Sequence, residues 1–413
     1  MGVLYFSMAH QQTSSYLWLR VALSMFVVAW GGNQFTSMIV FYRGEGEFAD
    51  LFVDSMLAIY ALGVATGLLG AGTLSDHWGR RKVMLPAPAL AMLGSVLIAS
   101  GEHQGALLAS GRFIAGIALG IAMTAGGSWL KELSMPPYEP DARASAGAKR
   151  ASMTLTTGLA LGPVTAGILA QWAIYPGQLI YAVHIALTLA VYPLLLSVPE
   201  TYRSRSPRGR GLGSMLSDIA VPSLRSKRFL TVVVPMAPWV FGTSFTAQTI
   251  VTSRLQGGLE HPVAYTGMIS LITMGCGFAI QQIGPRFDTG GRRGPVSALA
   301  LAALGMACAM FTVWHPSIWG GVLCAVVLGL AYGLGMFIGL AETQRIALPE
   351  DLGGLTGIYY CCTYVGMVFP ALLTFLGSRF SYPQMLGFGL VMALAGMALA
   401  AWAARRRPLG QLR

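Results

Sequence analysis

Residues 72–82 read GTLSDHWGRRK, a polar loop between two long apolar segments, and residues 284–293 read GPRFDTGGRR. Glycines permit a tight connection between helices, an aspartate supplies an acceptor, and adjacent arginines place positive charge where apolar sequence resumes. Five residues of the two loops match at a constant offset of 212 positions: Gly72 and Gly284, Asp76 and Asp288, Gly79 and Gly291, Arg80 and Arg292, and Arg81 and Arg293. The repeat predicts a chain of two similar halves.

The composition indicates a membrane protein. Of the 413 residues, 54% are hydrophobic and 10% are charged, and the mean hydropathy is +0.62, which is outside the usual range of soluble domains. Twelve apolar segments are each long enough to cross a hydrocarbon core of ~30 Å as a helix. They lie at residues 16–42, 50–74, 83–101, 105–131, 151–171, 178–198, 229–254, 263–284, 295–314, 317–341, 354–377 and 382–404. We therefore expect an all-α integral membrane protein with twelve transmembrane helices.

The positive charges are divided unequally between alternate loops. With a cytoplasmic N-terminus, twenty-two Lys and Arg residues fall in cytoplasmic loops and tails, whereas the outer loops hold Arg43, Arg254 and Arg379. This asymmetry predicts a protein of the inner or plasma membrane with both termini in the cytoplasm. It also explains the net charge of +11 without nucleic acid, since the basic residues lack interleaved aromatic residues. A signal peptide is not expected, because the first segment is long and lacks a cleavage site.

The repeated loop resembles the signature loop of the major facilitator superfamily of transporters, which follows the second helix and returns in weaker form after the eighth. The resemblance implies two pseudo-symmetric six-helix halves at residues 1–198 and 229–413, joined by a cytoplasmic linker at 199–228. It also implies alternating access, in which the halves rock around a central site and the signature loops act as conformational switches. In that scheme Asp76 and Asp288 bind across the interface at the starts of the eleventh and fifth helices.

Three polar residues are candidates for proton coupling. Arg112 lies inside the fourth helix, where a cation needs a partner or a water-filled cavity, and it begins an R-x-x-x-G element that resembles one implicated in proton transfer in the superfamily. His184 in the sixth helix and Glu342 at the end of the tenth are the other two, although a lone membrane histidine is more often a packing residue. Asp54 is expected to be a solvated residue at the outer end of the second helix.

Three acidic residues are placed to meet the arginines of the signature loops. Glu132 ends the fourth helix, Glu200 follows the sixth, and Glu342 ends the tenth. We expect them to form inner-face ion pairs that hold an outward-open state. The arginines expected as their partners are Arg80, Arg81, Arg292 and Arg293.

The fifth helix carries small residues at four-residue spacing around a proline. Gly158, Gly162 and Gly167 allow close backbone approach, and Pro163 leaves a carbonyl unpaired. This spacing resembles a fifth-helix motif of proton-driven exporters in the superfamily, although the double glycine usual after the proline is missing. Tight helix packing explains the pattern equally well, whatever the direction of transport.

A set of aromatic and amide residues at membrane depth is expected to line a central cavity. Such residues suit an amphipathic or aromatic small molecule, although aromatic stripes are usually packing. The cavity candidates are Trp30, Asn33, Gln34, Trp239, Phe245, Gln248, Tyr332 and Tyr359.

The expected function is secondary active transport of a small amphipathic or aromatic molecule, with proton-coupled drug or metabolite efflux as the first hypothesis. The overall pattern resembles the twelve-helix drug:proton antiporter type. The first helix has no interior Asp or Glu, so an uptake carrier or facilitator for a metabolite or siderophore is the alternative. No HExxH, G-x-S-x-G or P-loop pattern occurs, so we expect neither an enzyme nor a cofactor or metal. The expected partners are the substrate, protons and the lipid bilayer, and the protein is expected to act as a monomer.

Overall fold

A computed structural model describes most of the chain, and its described part is helical. The described residues are 16–140, 146–201, 221–288, 290–348 and 352–406. The side chains of Thr73, Asp76 and residues 404–406 also lie outside the described part. Most of the expected linker, residues 202–220, is therefore not covered.

The described helices form two sets of six. The N-terminal half contains α1 (Leu17–Asn33 and Phe35–Glu45), α2 (Asp50–Trp78), α3 (Arg80–Ser100), α4 (Gly105–Leu133), α5 (Ala146–Trp172) and α6 (Leu179–Leu196). The C-terminal half contains α7 (Phe229–Gly258), α8 (Pro262–Arg286), α9 (Arg293–Trp314), α10 (Ile318–Ile346), α11 (Leu352–Leu376) and α12 (Tyr382–Arg406).

The predicted twelve-helix fold is confirmed. Eleven helices of the described part are long and apolar enough to cross a membrane. Helix α1 is the twelfth, and it consists of segments of 17 and 11 residues joined at Gln34. The backbone of Gln34 remains helical, and its N–H donates to the carbonyl of Trp30 at 3.0 Å, so the two segments form one continuous span.

Several helices are locally irregular. Helix α4 contains a π-helical segment at Ala122–Gly126, and α7 contains another at Thr246–Val251. Such segments re-aim side chains within a helix and are frequent at functional sites. Helix α11 is interrupted by a short 3₁₀ segment at Val365–Val368.

The two halves meet along several helix pairs. Helix α5 packs on α8, α2 packs on α11, and the second segment of α1 packs on α7 and α8. The α5–α8 contact depends on glycine, since a Cβ on Gly167 would lie 2.8 Å from the carbonyl of Val263 and 3.3 Å from the Cα of Gly267. These contacts join the N-terminal half to the C-terminal half.

The two ends of the helix bundle differ in charge, and we name them accordingly. The arginine-rich face is the end with the α2–α3 and α8–α9 loops, and it holds Arg80, Arg81, Arg228 and Arg345. The arginine-poor face is the opposite end and holds Arg43, Arg254 and Arg379. The positive-inside rule predicts that the arginine-rich face is cytoplasmic.

The halves are joined by polar contacts at the arginine-poor face. The side-chain oxygen of Gln171 at the end of α5 accepts from the backbone N–H groups of Val263 and Ala264 at 3.1 and 3.4 Å. The rings of Trp172 and His261 meet beside it, with centroids 5.2 Å apart. The arginine-poor face is therefore closed between α5 and α8.

Candidate functional site

Arg112 lies at the centre of the N-terminal half and is 1% exposed. Its Nη1 donates to the carbonyl of Gly32 at 3.0 Å. The guanidinium carbon lies 4.6 Å from the ring centroid of Phe35 and 4.1 Å from that of Tyr60. Rings attract a cation through the negative charge of their faces, so these contacts partly replace the water that Arg112 has lost.

The charge of Arg112 has no carboxylate partner among the described residues. Its Nε and the hydroxyl of Tyr60 are both buried without a hydrogen-bond partner in that part of the chain. A buried cation at membrane depth is costly unless it is paired or meets water or a ligand. Two unsatisfied donors and one net positive charge therefore lie together in the N-terminal half.

Paired glycines in α1 make room for the groups around Arg112. A Cβ on Gly32 would lie 2.4 Å from the Tyr60 hydroxyl, and a Cβ on Gly31 would lie 2.3 Å from Nε2 of His184. Both distances are shorter than any van der Waals contact, so a larger residue at either position would displace Tyr60 or His184.

His184 is fully buried in a small polar network. Its Nε2 lies 3.0 Å from the carbonyl of Val27, which only accepts, so Nε2 carries a proton. Its Nδ1 lies 2.7 Å from the Ser95 hydroxyl and accepts from it. The amide of Gln34 donates to the same hydroxyl at 3.4 Å. This pattern fits a neutral imidazole held by α1 and α3, and a proton-coupling role for His184 remains a prediction.

Asn33 joins α1 to α5. Pro163 has no N–H to donate to the carbonyl of Leu159, and the amide of Asn33 donates to that carbonyl instead, at 2.6 Å. The Asn33 oxygen accepts from the Thr36 hydroxyl at 2.9 Å, and the side chain is 3% exposed. The structure therefore places Asn33 in the α1–α5 contact, with its hydrogen bonds used there.

The C-terminal half contributes a cluster of rings. The centroid of Phe241 lies 4.4 Å from that of Tyr364 and 5.7 Å from that of Tyr332. The hydroxyl of Tyr364 donates to Sδ of Met123, in the π-helical segment of α4, at 3.5 Å. Phe35, Tyr60, Phe241, Tyr332 and Tyr364 all belong to one continuous apolar cluster that spans both halves.

The other cavity candidates are dispersed. The Tyr359 hydroxyl donates to the carbonyls of Gly335 and Met336, so it fastens α11 to α10. Gln248 donates to the Ser244 hydroxyl at 2.5 Å, and its own oxygen is buried without a partner among the described residues. Trp239 packs edge-on against Phe369. The remaining three are Phe245, which is buried, Trp30, which is half-buried with an unpartnered Nε1, and Gln34, which lies beside Ser95.

The two rings beside Arg112, Phe35 and Tyr60, were not among the residues predicted from the sequence. In the sequence they are ordinary apolar residues of long hydrophobic segments, and only their position around Arg112 distinguishes them. The R-x-x-x-G pattern was the available signal, because it identified the cation that the rings surround. No group of three His, Cys, Asp or Glu side chains suited to a metal ion occurs in the described part of the chain.

At the arginine-rich face, the N-terminal half forms one acid–base cluster. Nε of Arg80 lies 3.1 Å from Glu132, which also accepts from the Thr201 hydroxyl at 2.5 Å. The two oxygens of Glu200 accept from the backbone N–H groups of Arg80 and Arg81, each at 3.0 Å. A carboxylate at these N–H groups stabilises the start of α3. Gly79 permits this arrangement, since its φ is 99° and a Cβ would lie 2.3 Å from Glu200.

The C-terminal half has a different set of partners from the one predicted. The two oxygens of Glu342 accept from Nε and Nη2 of Arg228 at 2.7 and 3.0 Å, and one of them also accepts from Arg345 at 3.1 Å. The expectation that Glu342 pairs with Arg292 or Arg293 is therefore wrong for this structure. The oxygens of Glu342 are instead occupied by Arg228, just before α7, and by Arg345, one turn later on α10.

The two signature aspartates have different outcomes. Arg345 contacts the carboxylate of Asp288, so Asp288 is bound within its own half and not at the start of α5 as predicted. The side chain of Asp76 lies outside the described residues, and its predicted contact near α11 stays a prediction. Four ion pairs of the arginine-rich face each join residues of the same half: Arg80–Glu132, Arg228–Glu342, Arg345–Asp288 and Arg345–Glu342.

Comparison with known proteins identifies the family. A model of the Major Facilitator Superfamily matches residues 21–369. The chain belongs to the Major Facilitator Superfamily. This superfamily member is 25% identical over 421 residues to the 4-hydroxybenzoate transporter PcaK of Pseudomonas aeruginosa, and the match covers 95% of this chain and 87% of that protein.

Solved structures show the same fold at low sequence identity. A crystal structure of a POT peptide transporter has a TM-score of 0.74 at 14% identity, and the match covers 94% of this chain and 95% of that one. A D-xylose-proton symporter has a TM-score of 0.67 at 15% identity, covering 92% and 96%. The nucleoside transporter NupG has a TM-score of 0.71 at 14% identity, covering 93% and 99%. The molecule is therefore an integral membrane transporter with the major facilitator fold.

Proposed function

We propose that this transporter takes up a small aromatic carboxylate together with protons. The observation that carries the proposal is the buried guanidinium of Arg112, which is held between two rings and contacts no carboxylate in the described part of the chain. A substrate carboxylate would supply the missing charge and accept from the unused donors of Arg112 and Tyr60.

The ring cluster of the C-terminal half suits the remainder of such a substrate. Phe241, Tyr332 and Tyr364 are rigid and aromatic, and they belong to the same apolar cluster as Phe35 and Tyr60. Offset or edge-on packing of a substrate ring against these side chains adds about 0.5–1.5 kcal/mol per aromatic pair. A ligand with a carboxylate at one end and a ring at the other would thus contact both halves.

The relative identified by sequence supports the same class of substrate. PcaK of Pseudomonas aeruginosa carries the name of a 4-hydroxybenzoate transporter, and 4-hydroxybenzoate is a benzene ring with one carboxylate and one hydroxyl. The identity of 25% is too low to transfer this substrate by itself. It agrees, however, with what the charge of Arg112 and the surrounding rings favour.

Proton coupling follows from the charge of the substrate. Moving one negative charge into a cell against an inside-negative potential costs about 2.3 kcal/mol per 100 mV. A proton moved in the same direction cancels that charge and lets a pH gradient drive uptake, and a second proton lets the membrane potential drive it as well. We therefore propose symport of at least one proton, with Arg112, His184 and Glu342 as the candidate residues.

Efflux of an amphipathic molecule is the second candidate. The observation that favours it is the helix-five motif, in which Gly158 and Gly162 pack on α1 and Asn33 caps the carbonyl left free by Pro163. This arrangement resembles that expected of an exporter. Tight packing of α1 on α5 is also a sufficient explanation for this arrangement. The motif therefore supports efflux less directly than Arg112 supports uptake of an anion.

The test uses purified protein in liposomes with an inward proton gradient and radiolabelled 4-hydroxybenzoate. We expect uptake to require the gradient. In Arg112→Gln it should fall by roughly 10–100-fold, because one or two charge-assisted hydrogen bonds to the substrate are lost. Arg112→Lys should also be impaired, since an ammonium cannot reproduce the planar fork. The neutral analogue 4-hydroxybenzamide should not compete.

Arg20→Gln is the matched control, because Arg20 lies on α1 near the arginine-rich face and donates to Ser197, away from the rings. It should transport at the rate of the unmodified protein. Unchanged 4-hydroxybenzoate uptake in Arg112→Gln would contradict the proposal. Gradient-driven export of lipophilic cations without anion uptake would favour the second candidate.

A further inference from the structure

Asp54 is buried at the arginine-poor end of α2, where the sequence predicted a solvated residue. Its side chain is 0% exposed, whereas Asp50, one turn earlier on the same helix, is 64% exposed. The two aspartates differ because α11 of the other half covers Asp54. A carboxylate covered by the opposite half occupies a position that changes when the halves separate.

The contacts of Asp54 join the two halves of the molecule. One of its oxygens, Oδ2, accepts from the guanidinium of Arg43 on α1 and from the hydroxyl of Thr374 on α11. Hydrogen bonds to an ionised group are about twice as strong as neutral ones. The Thr374 contact is therefore a charge-assisted hydrogen bond between the N-terminal and C-terminal halves.

The polar chain continues into the C-terminal half. The Tyr382 hydroxyl on α12 lies 3.2 Å from the Thr374 hydroxyl, and the guanidinium of Arg254 at the end of α7 lies 4.6 Å from the centroid of the Tyr382 ring. These residues surround one small pocket together with Arg43 and Asp54. These contacts thus run from α1 and α2 of the N-terminal half to α7, α11 and α12 of the C-terminal half.

The arrangement holds the two halves only moderately. The second oxygen of Asp54, Oδ1, is buried and has no hydrogen-bond partner among the described residues. The same is true of Nε of Arg43. Unsatisfied buried polar groups oppose closure, and water satisfies them when the halves separate. A contact that combines a strong hydrogen bond with unsatisfied groups closes the interface without making closure permanent.

We propose that Asp54 is the gate residue of the arginine-poor face, and that its hydrogen bond with Thr374 breaks each time the two halves open on that side. The proposal rests on alternating access by the major facilitator fold and not on the identity of the substrate. Asp54 acts as a positioning residue, since it sets the relative position of the halves and lies away from Arg112.

The test measures cysteine accessibility in lipid nanodiscs, where a reagent reaches both faces. The five native cysteines are replaced, and Ile250→Cys is introduced in the pocket beside Asp54, where the native side chain is 4% exposed. We expect a polar maleimide to react with this cysteine at least about tenfold faster in Asp54→Asn, because the charge-assisted hydrogen bond is lost. Thr374→Val should have a similar effect and Thr374→Ser none.

Asp50→Asn is the matched control, because Asp50 is an exposed aspartate on the same helix with its carboxylate 4.0 Å from Arg43. It should leave the labelling rate unchanged. A second reporter, Gly353→Cys at the arginine-rich end of α11, should react more slowly in Asp54→Asn if the halves rock as rigid bodies.

Labelling of Ile250→Cys at the unmodified rate in both Asp54→Asn and Thr374→Val would overturn the proposal. Loss of proton-driven transport with unchanged labelling would also overturn it, since Asp54 would then act on the proton and not on the gate. Each variant is first checked for a monodisperse elution profile. If Asp54→Asn folds poorly, Thr374→Val still tests the proposal, because it removes only the hydroxyl.

Discussion

Single residues of the arginine-rich face differ in how far their charges are removed from water. Glu342 is 1% exposed and shares its two oxygens between Arg228 and Arg345, whereas Glu132 is 28% exposed beside Arg80. The cost of breaking an ion pair depends on this difference, because the partner left behind in a buried pair cannot regain water.

We expect Glu342→Gln to lower the free energy of unfolding by about 3–5 kcal/mol, since the buried Arg228 would lose the carboxylate that accepts from its Nε and Nη2. Glu132→Gln, the control in the pseudo-equivalent position, should cost less, because the partly buried Arg80–Glu132 pair can regain water more easily. Thermal unfolding of the purified protein in detergent compares the two. Equal midpoints would show that the Glu342 pair is as weak as a surface pair.

The connection between α4 and α5 contains Glu139, whose contribution to the stability of the protein depends on pH. Arg150 donates to both oxygens of Glu139, and this hydrogen bond lowers the pKa of Glu139 below its ordinary value. A depressed pKa adds stability above the unfolded-state pKa, and that stability is lost as the pH falls through the folded-state value. The guanidinium of Arg150 also lies 3.9 Å from the ring centroid of Trp18, so the pair also contacts the first turn of α1.

We therefore expect Glu139→Gln to lower the unfolding midpoint at neutral pH, and the difference from the unmodified protein to shrink as the pH falls below about 4. Thermal unfolding of both proteins across this range measures the difference. A constant offset at every pH would mean that the carboxylate does not interact with Arg150 in its ionised form.

The sequence predicted some of these residues better than others. The pairing of Glu132 and Glu200 with the α2–α3 loop follows from their positions at helix ends, and Arg80 and Arg81 are indeed their neighbours. Arg228 was missed because it is distant in sequence from Glu342 and belongs to no motif. Asp54 was misjudged because its burial depends on α11, which no pattern within α2 could reveal.

At the scale of helices, α5 packs on helices of both halves. One side packs on α1 through Gly158 and Gly162, and the end near the arginine-poor face packs on α8 through Gly167. The sequence predicted close packing from the small residues and the proline. It could not predict that Asn33 would satisfy the carbonyl left free by Pro163, because that pairing requires the register of α1 against α5.

We expect Gly167→Leu to separate α5 from α8, because even a Cβ would lie 2.8 Å from the Val263 carbonyl. Separation should open the arginine-poor face, so labelling of Ile250→Cys should become faster. Gly275→Leu on α8 is the control, since a Cβ there meets no atom within 4 Å. Unchanged labelling in Gly167→Leu would indicate that α8 shifts to accommodate the side chain without opening the interface.

For the whole molecule, the fold was predictable and the central site was predictable only in part. Hydropathy sets the number of spans, and the repeated loop sets the division into halves, because both signals are local in sequence. The position of Arg112 was also accessible as a cation at membrane depth. Its surroundings were not, since Phe35 and Tyr60 come from two other helices and carry no distinguishing pattern.

The solitary charge of Arg112 has an electrical consequence. The described residues around it offer rings and a carbonyl but no carboxylate, so the empty carrier holds a net positive charge near the middle of the membrane. When the halves rock, this charge shifts within the field, and the resting potential favours whichever state places it nearer the cytoplasm. A bound carboxylate cancels the charge. The unloaded return step would thus carry a transient capacitive current from Arg112 alone, whereas the current of the loaded step would come from the protons that accompany the substrate.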